Sequence, residues 1–301
     1  MDTLAAAPGT GPNTSPLPVL RKPRPRATFE SLPTDRAVVM GILNVTPDSF
    51  SDGGQHATAD SAIAAGLRMF YGGADIIDVG GESTRPGADE VPEAEEQQRV
   101  LPVVEALVKA GAVVSVDTRR ASTAAKALDA GALIINDVSG LEVSQEMVDL
   151  VAERGAYYVL MHNRGDSRTM DSLSDYADVL EDVIAETTKV RNRLREAGVA
   201  DQKIIVDPGL GFAKTGEQNW TLVKGIERFL GLGHRVLVGA SRKRFLGELL
   251  TTAGKAAPPD QRDAATAAIT TLAAAKGAWG VRVHDVASNL DAVKVVARTR
   301  T

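Results

Sequence analysis

Two periods alternate in the apolar residues of this chain. Short, nearly continuous runs of Val, Ile and Leu recur at 37–45, 74–80, 113–117, 133–137, 157–162, 203–207, 235–240 and 280–284. Strands so uniformly apolar belong to a sheet covered on both faces, as parallel sheets flanked by helices are. Between the runs, apolar positions fall at helical intervals: Ile63, Leu67 and Phe70, then Val100, Val103, Val104 and Leu107, then Val179, Val183, Val190 and Leu194. Such stripes pack one side of a helix on the sheet and leave the intervening charges to water. Eight strand–helix units after residue 36 match an α/β fold of the closed (β/α)8, or TIM-barrel, kind. An open doubly wound sheet uses the same units, and repetition alone does not decide closure.

The N-terminal stretch breaks this rhythm. Pro8, Pro12, Pro16, Pro18, Pro23, Pro25 and Pro33 are half of the 14 prolines, and they remove backbone donors needed for a helix or inner strand. Arg21, Lys22, Arg24 and Arg26 add a small basic cluster, without the continuous apolar core of a secretory signal. Low acidity leaves a transit peptide conceivable, but a plain flexible tail over 1–36, followed by one barrel domain over 37–301, is the simpler expectation.

Composition narrows the function classes. With 44% hydrophobic and 24% charged residues the chain is not disordered overall. The lack of cysteine removes disulfides, thiolate metal sites and thiol nucleophiles. A net charge of −5 argues against a nucleic-acid partner. No apolar run approaches the ~20 residues of a membrane span, so a cytoplasmic protein is expected. Aromatics at 4% leave the core to Val, Ile, Leu and Ala.

Polar chemistry gathers where the strands end. The first run ends in Asn44, the third in Asp117, the fourth in Asn136 and Asp137, and the fifth in His162. The sixth ends in Asp207, the seventh in Ser241 to Lys243, the eighth in Arg282 to His284. A barrel delivers all these ends to one face, where its active sites are built. Any one Asn or Asp could simply cap the next helix, but Lys243 and Arg282 are poor caps. Asp117, Asn136, Asp207 and Lys243 mix acceptors and a donor without a nucleophile–base pair, and suit a flat heterocycle with an amidine-like edge. Arg282 and His284 alternate on one strand, so both point to the same side, just before a helix expected to begin at Val286. That pair reads as an anion cradle, or else as a salt bridge to a carboxylate on the barrel rim.

Two loops are rich in Gly, Pro, Asp and Ser, one after Asn44 and one after Gly80. They are either lids over the site or ordinary connections. Neither a Gly-x-x-x-x-Gly-Lys-Ser/Thr nor a strand-borne Gly-x-Gly-x-x-Gly occurs, which disfavours nucleotide kinases and dinucleotide dehydrogenases.

At these loops a resemblance emerges. Gly41-Ile42-Leu43-Asn44-Val45-Thr46-Pro47-Asp48-Ser49-Phe50-Ser51-Asp52-Gly53-Gly54 and Asp78-Val79-Gly80-Gly81-Glu82-Ser83-Thr84-Arg85-Pro86-Gly87 closely resemble the two signature segments of the dihydropteroate synthases. The likeness continues through Ser115-Val116-Asp117-Thr118, Asn136-Asp137-Val138-Ser139-Gly140 and Asp207-Pro208-Gly209-Leu210-Gly211-Phe212. It ends with Gly239-Ala240-Ser241-Arg242-Lys243-Arg244-Phe245 and Val281-Arg282-Val283-His284-Asp285, all in family order.

That resemblance implies a transferase of folate biosynthesis that joins 4-aminobenzoate to a dihydropterin pyrophosphate, releasing pyrophosphate and giving 7,8-dihydropteroate. By similarity Asp117, Asn136, Asp207 and Lys243 hold the pterin, with Asp117 and Lys243 central to catalysis and Thr84 reaching it from the second loop. Arg282 and His284 hold the pyrophosphate, with Asn44 a ligand to Mg²⁺. Asp48, Phe50, Arg85, Phe212 and Ser241 shape the aminobenzoate pocket. No position departs from the motifs. Sulfonamides, as aminobenzoate mimics, are expected to inhibit, and a homodimer is expected from the resemblance alone. Chemically, loss of pyrophosphate leaves a cation delocalised into the pterin ring, which a neutral aryl amine can attack without a strong base.

Other classes remain as alternatives. A pterin-barrel methyltransferase domain leaves the anion cradle and the aminobenzoate loop unexplained. A non-catalytic pterin-binding paralogue should have lost loop residues or the lysine, whereas Asn44, Asp117, Lys243, Arg282 and His284 are all present. A drug-insensitive form of the same enzyme should carry a remodelled first or second loop, and both read as ordinary.

Overall fold

Successive side chains of a strand point to opposite faces, and here the two sets sort into two separate cores. Val38, Met40, Ile76, Val113, Ile134, Tyr157, Val159, Ile205 and Leu237 form one cluster. Their neighbours Val39, Ile77, Val79, Val114, Val116, Ile135, Tyr158, Ile204, Val206, Val236 and Val281 form a larger one together with the helices. The first fills the inside of a barrel and the second lies between barrel and helices. Both faces of every strand are therefore apolar over most of its length, which is why the runs read as continuous rather than alternating.

The protein is described by a computed structural model covering residues 27–46, 54–83, 90–166 and 168–300. Eight parallel strands close in chain order: β1 (Val38–Asn44), β2 (Ile76–Gly80), β3 (Val113–Asp117), β4 (Ile134–Asp137), β5 (Tyr157–Met161), β6 (Ile204–Asp207), β7 (Arg235–Val238) and β8 (Gly280–Val283). β8 returns to β1 with Val38 opposite Gly280 and Met40 opposite Arg282. Closure excludes the open doubly wound sheet. Strands and expected runs agree to within two residues, the two-residue overruns falling before β2 and after β7, where the chain turns towards Ser241.

Ten helices surround the barrel among the described residues: α1 (Gly54–Tyr71), α2 (Glu93–Lys109), α3 (Ala121–Ala130), α4 (Gln145–Arg154), α5 (Val179–Glu196), α6 (Gly216–Lys224), α7 (Ile226–Leu230), α8 (Arg244–Leu249), α9 (Asp263–Lys276) and α10 (Val286–Thr299). The stripes of α2 and α5 are buried as their spacing required. α5 begins where Asp178 accepts the backbone N–H groups of Leu180 and Glu181, and α6 begins with a Thr215–Gln218 capping box. No helix among the described residues is long and apolar enough to cross a membrane.

Residues 27–36, assigned to the flexible tail by their proline content, have a defined place. Phe29 and Leu32 are buried in the inner core. The Phe29 ring stacks on Tyr157 and Trp279, with centroids 3.5 and 5.6 Å apart. Arg36 forks onto Asp75 at 2.7 and 2.8 Å. The open N-terminal end of a barrel exposes apolar side chains, and this segment floors it. The flexible-tail expectation therefore does not hold for Phe29 to Arg36, while residues 1–26 lie outside the described part.

Candidate active site

At the opposite end of the barrel a cavity of about 300 Å³ collects Asn44, Asp117, Phe212, Ser241, Lys243, Arg282 and His284. They lie at or just beyond the C-terminal ends of five strands, β1, β3, β6, β7 and β8, so closure brings together what the sequence spreads from residue 44 to residue 284. Asn136 pairs in register with Asp117 and is buried beside it. Asp207 is buried too, its Oδ1 accepting the Gly209 N–H at 2.7 Å. His162 does not join them. Its ring turns outward to Glu186 on α5, 2.8 Å from Nε2. Asp137 is likewise structural, bonded to the Ser139 N–H and the Tyr158 hydroxyl. Asp48, Phe50, Thr84 and Arg85, expected to form the loop side of the site, lie outside the described residues.

The capping alternative fails for the key carboxylate. Helix α3 is preceded by Arg120, with no side-chain cap, so Asp117 satisfies no helix start. Instead its Oδ2 receives Arg282 at 2.5 Å, while the same guanidinium reaches Asp78 Oδ2 at 2.6 Å. Asn136 Nδ2 donates to that Asp78 oxygen at 2.9 Å. Arg282 thus spans two buried carboxylates, and the salt-bridge reading describes its present partners. Cradle and bridge are compatible, since a guanidinium has five donors.

Asp78 was not singled out from sequence as a site residue. A signal was there: a carboxylate amid the apolar Ile76-Ile77-Asp78-Val79, on the inward parity of Ile76, cannot be buried without a counter-charge. Lys214, which lines the cavity, was also passed over. It follows the Gly211-Phe212 turn and looks in sequence like a solvated lysine.

Burial decides the electrostatics. It pushes the Asp117 carboxyl up to about 7, with Arg282 opposing and Asp78 adding to the rise. Burial raises Asp207 as well. It lowers the Lys243 ammonium to about 7, against the attraction of Asp207. Burial also disfavours the charge on Arg282, but Asp78 and Asp117 more than compensate and hold it protonated. Lys243 Nζ donates to the Leu210 carbonyl and stands 4.0 Å from the centroid of the Phe212 ring. Ser241 Oγ accepts the backbone N–H of His284 at 3.1 Å and lies 2.9 Å from its Nδ1. Nearby, Arg242 takes a left-handed φ of 57°, unusual for a residue with a side chain, and is held by Asp263 through two 2.7 Å bonds.

The arrangement offers acceptors and one amine for a polar heterocycle, a guanidinium and an imidazole for an anion, and an aromatic wall for a second, flat substrate. Comparison with known proteins agrees. The model of the pterin binding enzyme family matches residues 40–284. The dihydropteroate synthase of Mycobacterium leprae (strain TN) is 50% identical over 260 residues, covering 86% of this chain and 92% of that protein. Two solved structures superpose with similar quality. Yersinia pestis dihydropteroate synthase with a sulfonamide drug complex has TM-score 0.82 and 41% identity, over 89% of this chain and 96% of that one. The Xanthomonas albilineans enzyme in complex with 7,8-dihydropteroate has TM-score 0.80 and 40% identity, over 90% and 96%. On the family match and on identities of this size across nearly the whole barrel, the chain belongs to the dihydropteroate synthases, the pterin-binding transferases of folate biosynthesis.

Proposed function

We propose that this barrel mouth performs the family's condensation with a division of labour among three groups of side chains. Asp117, Asn136, Asp207 and Lys243 hold the dihydropterin. Arg282 and His284 take the pyrophosphate. Phe212 and Ser241, with Asp48, Phe50 and Arg85 from the first and second loops, enclose 4-aminobenzoate, and Thr84 reaches the pterin. The observation that carries this reading is the Asp117–Arg282 contact: one carboxylate for a developing cation beside one guanidinium for the departing anion, in a single cavity. When pyrophosphate leaves, its growing charge falls to Arg282 and His284, while Asp117 stabilises the positive pterin methylene. The aryl amine is neutral at pH 7 and attacks the methylene through its own lone pair, losing its proton to solvent once the C–N bond has formed, so no strong base is required.

The donor set bears on the metal. Among the described residues no three His, Asp or Glu side chains gather as a metal cage. Mg²⁺ commonly keeps waters and substrate phosphate oxygens with few protein ligands, and Asn44 at the cavity edge can supply one oxygen to such an ion. Bound there, Mg²⁺ would help neutralise the pyrophosphate. A homodimer is part of the same reading. Leu272 and Val295, 50% and 61% exposed on the mutually packed α9 and α10, offer apolar surface for a second copy, and light scattering would show the doubled mass.

The direct test is product formation. The pterin pyrophosphate, 4-aminobenzoate and Mg²⁺ should yield dihydropteroate, chelation of Mg²⁺ should stop it, and a sulfonamide should compete with 4-aminobenzoate. Absence of product with every component present would overturn the assignment.

The two groups near 7 also predict a pH dependence for pterin binding. Asp117 accepts two parallel ring N–H groups best as a carboxylate, so affinity falls as pH drops below its pKa of about 7. Lys243 donates best as an ammonium, so affinity also falls as pH rises above its own value of about 7. Calorimetry should therefore give a bell centred near neutrality, with limbs that belong to the coupled pair rather than to either residue. Asp117→Asn should flatten the acid limb and Lys243→Met the alkaline limb. A pterin affinity constant across this range would contradict the assignment.

A further inference from the structure

From Lys214 on the cavity lining a polar cluster runs back to helix α5, and the condensation, as described, does not use it. Lys214 is 5% exposed. Its Nζ has three partners: the Phe212 carbonyl at 2.8 Å, the Gly209 carbonyl at 3.1 Å and His162 Nδ1 at 2.9 Å. Burial, then the nearby Lys243 charge, lowers Lys214 well below the usual lysine range against the pull of Asp207, and in its protonated form these three partners place all of its ammonium protons. The imidazole can accept because its other nitrogen is committed: Nε2 lies 2.8 Å from Glu186, a group that only accepts when ionised. Glu186 is in turn held by Arg164 at 2.6 and 3.0 Å. Burial, then the neighbouring Lys214 charge, lowers His162 to about 4, which keeps the ring neutral. Burial alone would raise Glu186, but the bonds from His162 and Arg164 outweigh it and bring it to about 2.

The segment this ammonium grips is one that backbone preference alone does not stabilise. Gly209, Gly211 and Ala213 all have left-handed φ, at 67°, 77° and 48°. A Cβ on Gly209 would stand 1.8 Å from the His162 carbonyl oxygen. Ala213 bears a real side chain in this region, at a cost that surrounding contacts must offset. The alternation turns the carbonyls of residues 209, 210 and 212 towards two lysines, Lys214 behind and Lys243 in front. Between them the Phe212 ring is set against Lys243 Nζ.

We propose that Lys214 is a positioning residue for the second substrate: steered by the His162–Glu186 pair, it folds loop 208–213 so that Phe212 stands where the aminobenzoate ring docks. Helix α5, far from the reacting atoms, thereby becomes part of the specificity apparatus. The inference rests on the reading that Phe212 walls the aminobenzoate pocket. On the pterin side Asp207 meets the loop at the Gly209 N–H and Lys243 meets it at the Leu210 carbonyl, neither of them an atom that Lys214 holds, so pterin binding depends on the grip less.

Kinetics with both substrates varied separates the possibilities. Lys214→Met keeps the length of the side chain and removes its donors. It should raise KM for 4-aminobenzoate about tenfold or more, while the Kd of the pterin pyrophosphate by calorimetry moves less than about threefold. Glu186→Gln, milder and partly exposed, should move the same KM in the same direction by a smaller factor. Equal losses for both substrates, or a lower Tm with neither constant changed, would overturn the proposal. If Lys214→Met does not fold, Glu186→Gln decides, and an unaltered aminobenzoate KM rejects it. Phe212→Ala is the control on the underlying reading. Without effect on that KM, the pocket assignment itself falls, and the proposal with it. With an effect there and none in Lys214→Met, only the role of Lys214 falls.

Discussion

Asp117→Asn should cut kcat by about a thousandfold, some 4 kcal/mol of barrier, while the protein stays folded. The amide matches the carboxylate in size, so the cavity keeps its shape. What disappears is the negative charge facing the pterin methylene as it becomes positive. Arg282 retains Asp78 at 2.6 Å, so the guanidinium does not lose its place. The sign of the stability change follows from linkage. Asp117 is raised from 3.8 to about 7 in the fold. Its contribution to stability is therefore fully present below 3.8 and is lost as pH rises through about 7. At pH 8 the variant should be at least as stable as its parent, and as pH falls below 7 the balance should shift towards the parent. Turnover at saturating substrates, with Tm at both pH values, checks the two halves together. A fall of less than about tenfold would show that the charge is not needed at the transition state.

Arg282→Met should be the most damaging substitution for stability. It leaves Asp78 with no exposure and Asp117 with 9%, and no cation between them. Breaking a buried pair from one side typically costs about 3–5 kcal/mol, because the remaining charge is stranded. Here the stranded Asp117 charge can be neutralised by a proton, so the loss should be largest near pH 8 and shrink towards pH 5, measured by urea unfolding at each pH. Arg282→Lys should fall between, since one ammonium cannot fork across two carboxylates as a guanidinium does. It should also weaken pyrophosphate binding despite keeping the charge. Unchanged unfolding of Arg282→Met at pH 8 would mean that the guanidinium is not what holds this buried cluster together.

The barrel was legible because its strands are covered on both faces. Runs such as Ile204 to Asp207 are apolar until they end on a polar residue, and helix stripes such as Val100 to Leu107 carry their own period. Closure was not legible, because the pairing of Val38 with Gly280 joins residues that no local pattern connects. Within the site, strand-end residues stood out as polar interruptions of apolar runs, and Asn44, Asp117, Lys243, Arg282 and His284 do line one cavity. His162 shows the limit of that rule. A strand end states the height of a side chain on the barrel and not the side to which it turns, and His162 faces helix α5. Asp78 and Lys214 escaped for the opposite reason, since their meaning lies in partners more than 50 residues away: Arg282 for one, His162 for the other. Phe29 was hidden by the prolines around it, which describe backbone freedom and are silent about a ring that fits a hole.

The aromatic floor around Phe29 separates two properties that enzymes often force into competition. Stability and activity trade off where the same strained residues serve both, as Arg242 and loop 208–213 do at the mouth. The Phe29–Tyr157–Trp279 stack lies at the far end of the barrel, with Lys203 Nζ 3.7 Å from the Tyr157 ring centroid. Nothing in the reaction touches it. Selection, or an engineer, can therefore adjust the heat resistance of this protein at its base without retuning its catalysis. The natural handle is a short segment that simple inspection would trim away.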